Sequence, residues 1–135
     1  AACKANYANA QVDFYAFART HAEPTGDQAL LNEALACLDK AVEQGHRDAI
    51  MARAFHAAFI EQDYERGYYL YALLEDADPE IAAQRQSFAG KLTQAEIDQA
   101  EQDAKAWRAA NQVKTYDDFF AEVNSPFRQV PTPKP

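Results

Sequence analysis

The stretch "ALACLDKAVEQGHRDAIMARAF", residues 34–55, holds one glycine, Gly45, between two runs of alanine and large apolar residues. Neither run contains a β-branched cluster. Upstream, Leu30, Leu31, Ala34, Cys37, Leu38 and Ala41 recur at helical spacing; downstream, Ile50, Ala54, Phe55, Ala58 and Phe59 do so, and they are expected to face inward. A glycine just past the last periodic residue closes a helix in the left-handed conformation, which costs it no Cβ clash. The next helix starts at once, so the two must fold against each other as a hairpin.

Working outward, four more helices have readable ends. The first spans about Ala5 to His21, with Tyr7, Ala10, Phe14, Phe17 and Ala18 on one face, and it stops before a loop marked by Pro24 and Gly26. Asp27 is the N-cap of the second. A fourth helix runs from about Tyr64 to Asp76, and a fifth starts where Asp78 caps and Pro79 takes the first helical position. Thr93 and Glu96 have capping-box spacing at the entrance of the sixth, whose stripe Ile97, Ala100, Ala104, Trp107 implies one buried face. The reading is therefore all-α: six helices in a domain of residues 1–111, then an irregular tail, 112–135. In the tail "YDDFFAEV" has short-helix character, and four prolines argue against regular structure at the end.

Composition narrows the function. A chain of 135 residues buries roughly 68% of its unfolded surface as one domain and needs no metal or disulfide staple. Its net charge of -8 repels phosphate backbones and anionic lipid, which argues against nucleic acid as a partner. No apolar run approaches the roughly 20 residues of a membrane span. The first residues, "AACKANY", have the small side chains that flank signal-peptidase sites, so export to an envelope compartment is expected, with a cytoplasmic location as the alternative. Ala1-Ala2-Cys3 also resembles the end of a lipoprotein signal, in which Cys3 would carry a lipid anchor. In an oxidising compartment Cys3 and Cys37 permit one disulfide.

A shift of 33 residues aligns the chain with itself: Ala34 with Gly67, Cys37 with Leu70, Leu38 with Tyr71, Ala41 with Leu74, Ala49 with Ala82, Phe55 with Phe88 and Phe59 with Leu92. Small residues recur where helices must approach closely, and large ones where a gap is filled. A stacked helical-hairpin solenoid explains such a period. Ala34, Lys40, Ala41, Gly45 and Ala49 in "AxxCLDKAVEQGHRDA" resemble the signature of the Sel-one-like repeats, relatives of the tetratricopeptide repeats. Residues 63–67, "DYERG", resemble the opening of a following repeat, and "LTQAEIDQAEQDAKAW" resembles a family capping helix. The resemblance covers about residues 27–107 and implies a short right-handed α-solenoid. Cys37, Leu70, Arg53-Ala54 and Ala57 depart from the family pattern.

The resemblance also implies a non-catalytic protein-binding module of the bacterial envelope, acting as an inhibitor or immunity protein for a secreted effector. An adaptor or structural subunit of a periplasmic assembly is the alternative, and an enzyme is a distant third. His21, His46 and His56 are too scattered for a metal set, and no phosphate loop or nucleophile elbow exists, so no catalytic residue, cofactor or metal is expected. Binding is expected at Glu65, Tyr68, Tyr69, Glu75 and Asp76, because tyrosine offers large contact area at low entropic cost. A second candidate is Tyr116, Asp117, Asp118, Phe119 and Phe120 in the tail, where large apolar groups lie beyond the repeat core. The expected partner is another protein with a basic surface, which acidic groups would steer.

Overall fold

Gly45 ends a helix at φ 82°, a left-handed value that glycine adopts without strain. The computed structural model describes residues 7–74 and 78–128. Its helices are α1 (Ala8–Thr25), α2 (Gln28–Glu43), α3 (Arg47–Phe55), α4 (Tyr64–Leu74), α5 (Pro79–Ala89), α6 (Gln94–Ala110) and α7 (Tyr116–Arg128). A π-helical turn, His56–Ile60, continues α3. Among the described residues no strand occurs, only an isolated bridge between His46 and Lys114.

The expected caps form. Asp27 accepts from the Leu30 N–H at 3.0 Å and Asp78 from the Glu80 N–H at 2.9 Å. Thr93 and Glu96 close a reciprocal capping box, at 3.2 and 2.9 Å. The first helix differs from the sequence expectation, because Pro24 lies inside its last turn and the stop comes at Gly26, φ 69°, whose N–H reaches the Ala22 carbonyl at 2.7 Å. Pro24 cannot donate to the Thr20 carbonyl four residues back, and the helix ends one residue later, at Thr25. Its buried face is Ala8, Gln11, Tyr15, Ala18 and Ala22, whereas Tyr7 and Phe17 are exposed. Phe17 stacks on His21 outside the core.

Helices pack in chain order, α1 on α2, α2 on α3 and α3 on α4, and α4 also carries α5 and α6. The positions that align at 33 residues in α2 and α4 are all buried: Ala34 and Gly67, Cys37 and Leu70, Leu38 and Tyr71, Ala41 and Leu74. Gly67 is a close-approach site, since a Cβ there would meet the Ala58 Cβ at 3.1 Å and the Phe88 ring at 3.3 Å. In the second helices the correspondence fails. Phe88 is 2% exposed, but Phe55 is 36% and Phe59 52% exposed, against the expectation that both face inward.

The buried stripe Ala49, Ile50, Arg53, Ala54, Ala57 and Ala58 recurs at regular helical spacing, and Phe55 and Phe59 lie on the side of the helix opposite to it. His56, Ala57 and Ala58 are on the buried side. There the His56 Nδ1 meets the Tyr15 hydroxyl at 3.2 Å. Arg53 is buried as well, and its guanidinium donates to Asp39 in α2 at 2.8 Å and to Glu61, after the π turn, at 2.6 Å. Such a cation is tolerable in a core only with its carboxylates in place.

The tail carries a helix over the stretch "YDDFFAEV", and the residues before it are docked on the body. Residues 112–114 dock on the α2–α3 turn: the Lys114 N–H donates to the Gly45 carbonyl and the Arg47 N–H to the Lys114 carbonyl, each at 2.8 Å. A Cβ on Gly45 would lie 2.1 Å from the Gln112 carbonyl oxygen. Beyond this bridge, α7 packs against α1. Thr115 and Asp118 form a reciprocal cap at its start, at 3.1 and 2.9 Å. Trp107 is half-buried rather than sealed in, with its ring edge 3.4 Å from the same Gly45 position.

Two glycine replacements separate conformation from contact. Gly26→Ala meets nothing within 4 Å, so it should lose only the left-handed preference, about 1–2 kcal/mol. Gly45→Ala must also displace the Gln112 backbone and should lose clearly more. Denaturant unfolding of both variants checks this, and equal losses would contradict the close approach.

Candidate partner-binding surface

Four tyrosines in α4 meet very different surroundings. Tyr68 is 3% exposed, and its hydroxyl donates to Glu101 at 2.7 Å, which removes it from any contact surface. Tyr71 is buried too, stacked on Phe88 and donating to Gln84 at 2.9 Å. Tyr64 lies at the core edge, under the Lys91 ammonium. Tyr69 is half-buried, and burial followed by the Asp103 carboxylate raises its phenol above the ordinary value.

The Tyr69 ring is one wall of a cleft of about 240 Å³ between α4 and α6, lined also by Asp63, Glu65, Arg66, Ala100 and Asp103. Tyr69 and Glu65, both expected from sequence, therefore share a site. Asp63 and Asp103 are additions. Asp103 carries no local signal, since it reaches the cleft only through the packing of α6 on α4. Asp63 already accepts from the Arg66 N–H at 3.1 Å, and Arg66 leans toward Asp39 at 3.7 Å. The cleft thus offers an aromatic wall and three carboxylates against one partly engaged guanidinium, a setting suited to a lysine or arginine side chain. Glu75 and Asp76 lie outside the described residues.

A second surface was not anticipated. The Phe55 and Phe59 rings meet at 4.8 Å, Phe59 abuts the buried Phe88 at 5.6 Å, and Ile60 beside it is 49% exposed. The Arg19 guanidinium lies 5.0 Å above Phe55. This ridge leaves 36% of Phe55, 52% of Phe59 and 49% of Ile60 in water. Its sequence signal is the phenylalanine pair four residues apart, which a regular helix with Ile50, Ala54 and Ala58 inward turns toward solvent.

The tail candidates divide. Phe119 is 8% exposed and stacks on the His46 ring at 5.0 Å, so it is committed to the fold. Asp118 is committed to the α7 cap. Tyr116 is partly exposed, with its hydroxyl donating to Asp13 at 3.0 Å. Asp117 and Phe120 are exposed, the latter at 56%.

Among the described residues no group of three or more His, Cys, Asp or Glu is arranged to hold a metal ion. No helix among them is long and apolar enough to cross a membrane. Cys37 is disulfide-bonded, and Cys3 lies outside the described residues. No family model, curated protein or solved structure matches this chain.

The buried phenol of Tyr68 supplies a titration test. Burial, then the bond to Glu101, pushes it up to about 12. The folded protein keeps this group neutral where the unfolded chain ionises it, so its contribution to stability is complete below about 10 and is lost as pH rises toward about 12. Spectrophotometric titration should resolve one late tyrosine, absent in Tyr68→Phe.

Proposed function

We propose that this chain is a non-catalytic protein-binding module, a short right-handed α-solenoid of the Sel-one-like kind, that acts in the bacterial envelope as an inhibitor or immunity protein for a secreted effector. The observation that carries the binding role is the ridge of Phe55, Phe59 and Ile60. Adjoining exposed groups of this size mark a contact surface, because burying the exposed part of each against a partner gains roughly 0.5–1.5 kcal/mol.

Other features support the rest of the reading. The paired burial of α2 and α4 at the 33-residue offset is what stacked repeats would produce. The disulfide at Cys37 favours an oxidising compartment, as export requires. A net charge of -8 and the Tyr69 cleft favour a partner with basic side chains, drawn in by long-range attraction at low salt. Closure of the array by its own tail leaves little concave groove for an extended peptide, so docking of a folded partner fits better.

Affinity capture from the source cell, followed by a measured Kd with the purified partner, tests this. Phe59→Ala should weaken binding by about 2 kcal/mol or more with modest loss of stability, as a hot-spot anchor does. Tyr69→Ala tests the cleft separately and should weaken binding together with the salt dependence of the on-rate. Wild-type affinity in both variants would remove both surfaces from the interface.

A further inference from the structure

His46 occupies the junction of α1, α3 and α7 and is fully buried. It is the N-cap of α3: its Nδ1 accepts from the Asp48 and Ala49 N–H groups, at 3.1 and 3.4 Å. Its Nε2 lies 2.7 Å from the Asn9 Oδ1. Asn9 is itself oriented, because its Nδ2 donates to the Tyr116 carbonyl at 3.0 Å. These four contacts are satisfied together only by the neutral ring with its hydrogen on Nε2. The faces and edges of the same ring then seat α7, by stacking on Phe119 and by an edge contact with Tyr116 at 5.9 Å.

We propose that His46 is a proton-operated latch, which holds α7 on the body while the imidazole is neutral and lets α7 go when the ring is protonated. A second proton would sit on Nδ1, facing two backbone N–H groups at the positive end of α3, so it would abolish the cap and meet a repulsive dipole. The imidazolium must leave that position to be hydrated. Once it leaves, Phe119 loses its stacking partner and Asn9 loses the bond that orients it toward Tyr116.

The charged groups around the ring can be named. From α1, Asp13 faces it, and from α3, Asp48; both carboxylates favour the proton, but burial outweighs them and holds the ring below its ordinary value of 6.5. Arg47 is turned toward Asp78, at 4.0 Å. From the α7 side come the Tyr116 phenol, bonded to Asp13, and Lys114, whose ammonium lies 5.6 Å from the Phe119 ring and bonds Glu122. With α7 released, the ring takes up a proton that the docked state refuses. Docking is therefore complete above about pH 6.5 and weakens as pH falls below it.

Hydrogen exchange read by mass spectrometry between about pH 7.5 and about pH 5, corrected for intrinsic rates, tests the latch in a range above ordinary carboxylate titration. Protection of residues 113–122 should fall by up to about tenfold per pH unit below about 6.5, the slope of one linked proton, while α4 stays protected. His46→Asn keeps a capping oxygen without a titrating ring and should flatten the slope. His56→Gln removes the other buried imidazole and should leave the slope in place. Wild-type protection that does not change with pH, that is lost in step with α4, or that keeps its slope in His46→Asn would overturn the proposal. The wild-type profile alone decides between latch and no latch if the Asn variant does not fold.

Discussion

A carbonyl oxygen occupies the space where residue 45 would carry its β-carbon. The Gln112 oxygen lies 2.1 Å from that point, and no side chain larger than hydrogen is compatible with it. Everything at the C-terminal end depends on this one vacancy. It lets the backbone at 112–114 lie against the α2–α3 turn, where the two bonds at Gly45 and Arg47 align Lys114 and start α7 in the direction of α1. Gly45 thus has two roles that coincide by geometry: it reverses the chain and it leaves room for a second chain segment at the reversal.

Much of the helical order was legible because caps and periodicity are local. Asp27, Asp78 and the Thr93/Glu96 pair announce helix starts by chemistry that acts over three residues, and all three bond as that chemistry requires. At α7 the short-helix character of "YDDFFAEV" is joined by a cap of the same kind, since Thr115 and Asp118 have capping-box spacing with aspartate in place of glutamate. The helix runs on past that stretch, through Pro126, to Arg128.

What local reasoning missed was phase. Phe55 and Phe59 sit one regular turn apart and look like core residues, yet the stripe Ile50, Arg53, Ala54, Ala57 and Ala58 holds the inside at regular helical spacing, with both phenylalanines opposite it. Two tertiary demands favour that choice: the Tyr15 hydroxyl needs a partner, and Gly67 leaves a gap that an alanine fills and a phenylalanine would overfill. Arg53, in the same buried stripe, reaches Asp39 and Glu61. The candidate site was half legible for this reason. Tyr69 and Glu65 are neighbours on one helix, whereas Asp103 joins them only after α6 has packed.

The seam between α1 and α7 changes the cooperativity of the molecule. An open stack of hairpins contacts itself only between neighbours, so its ends fray one unit at a time. Here the Asn9–Tyr116 bond joins residues 107 apart, and neither end can peel away without breaking contacts at the other. Closing a loop of that length costs on the order of 4 kcal/mol of chain entropy, which the seam recovers only when the intervening helices are already assembled. Contacts of such high sequence separation form late and raise the contact order, so this chain should fold more slowly than an unclosed array of equal length. In exchange α1 and α7 steady each other, and opening either one breaks the same seam.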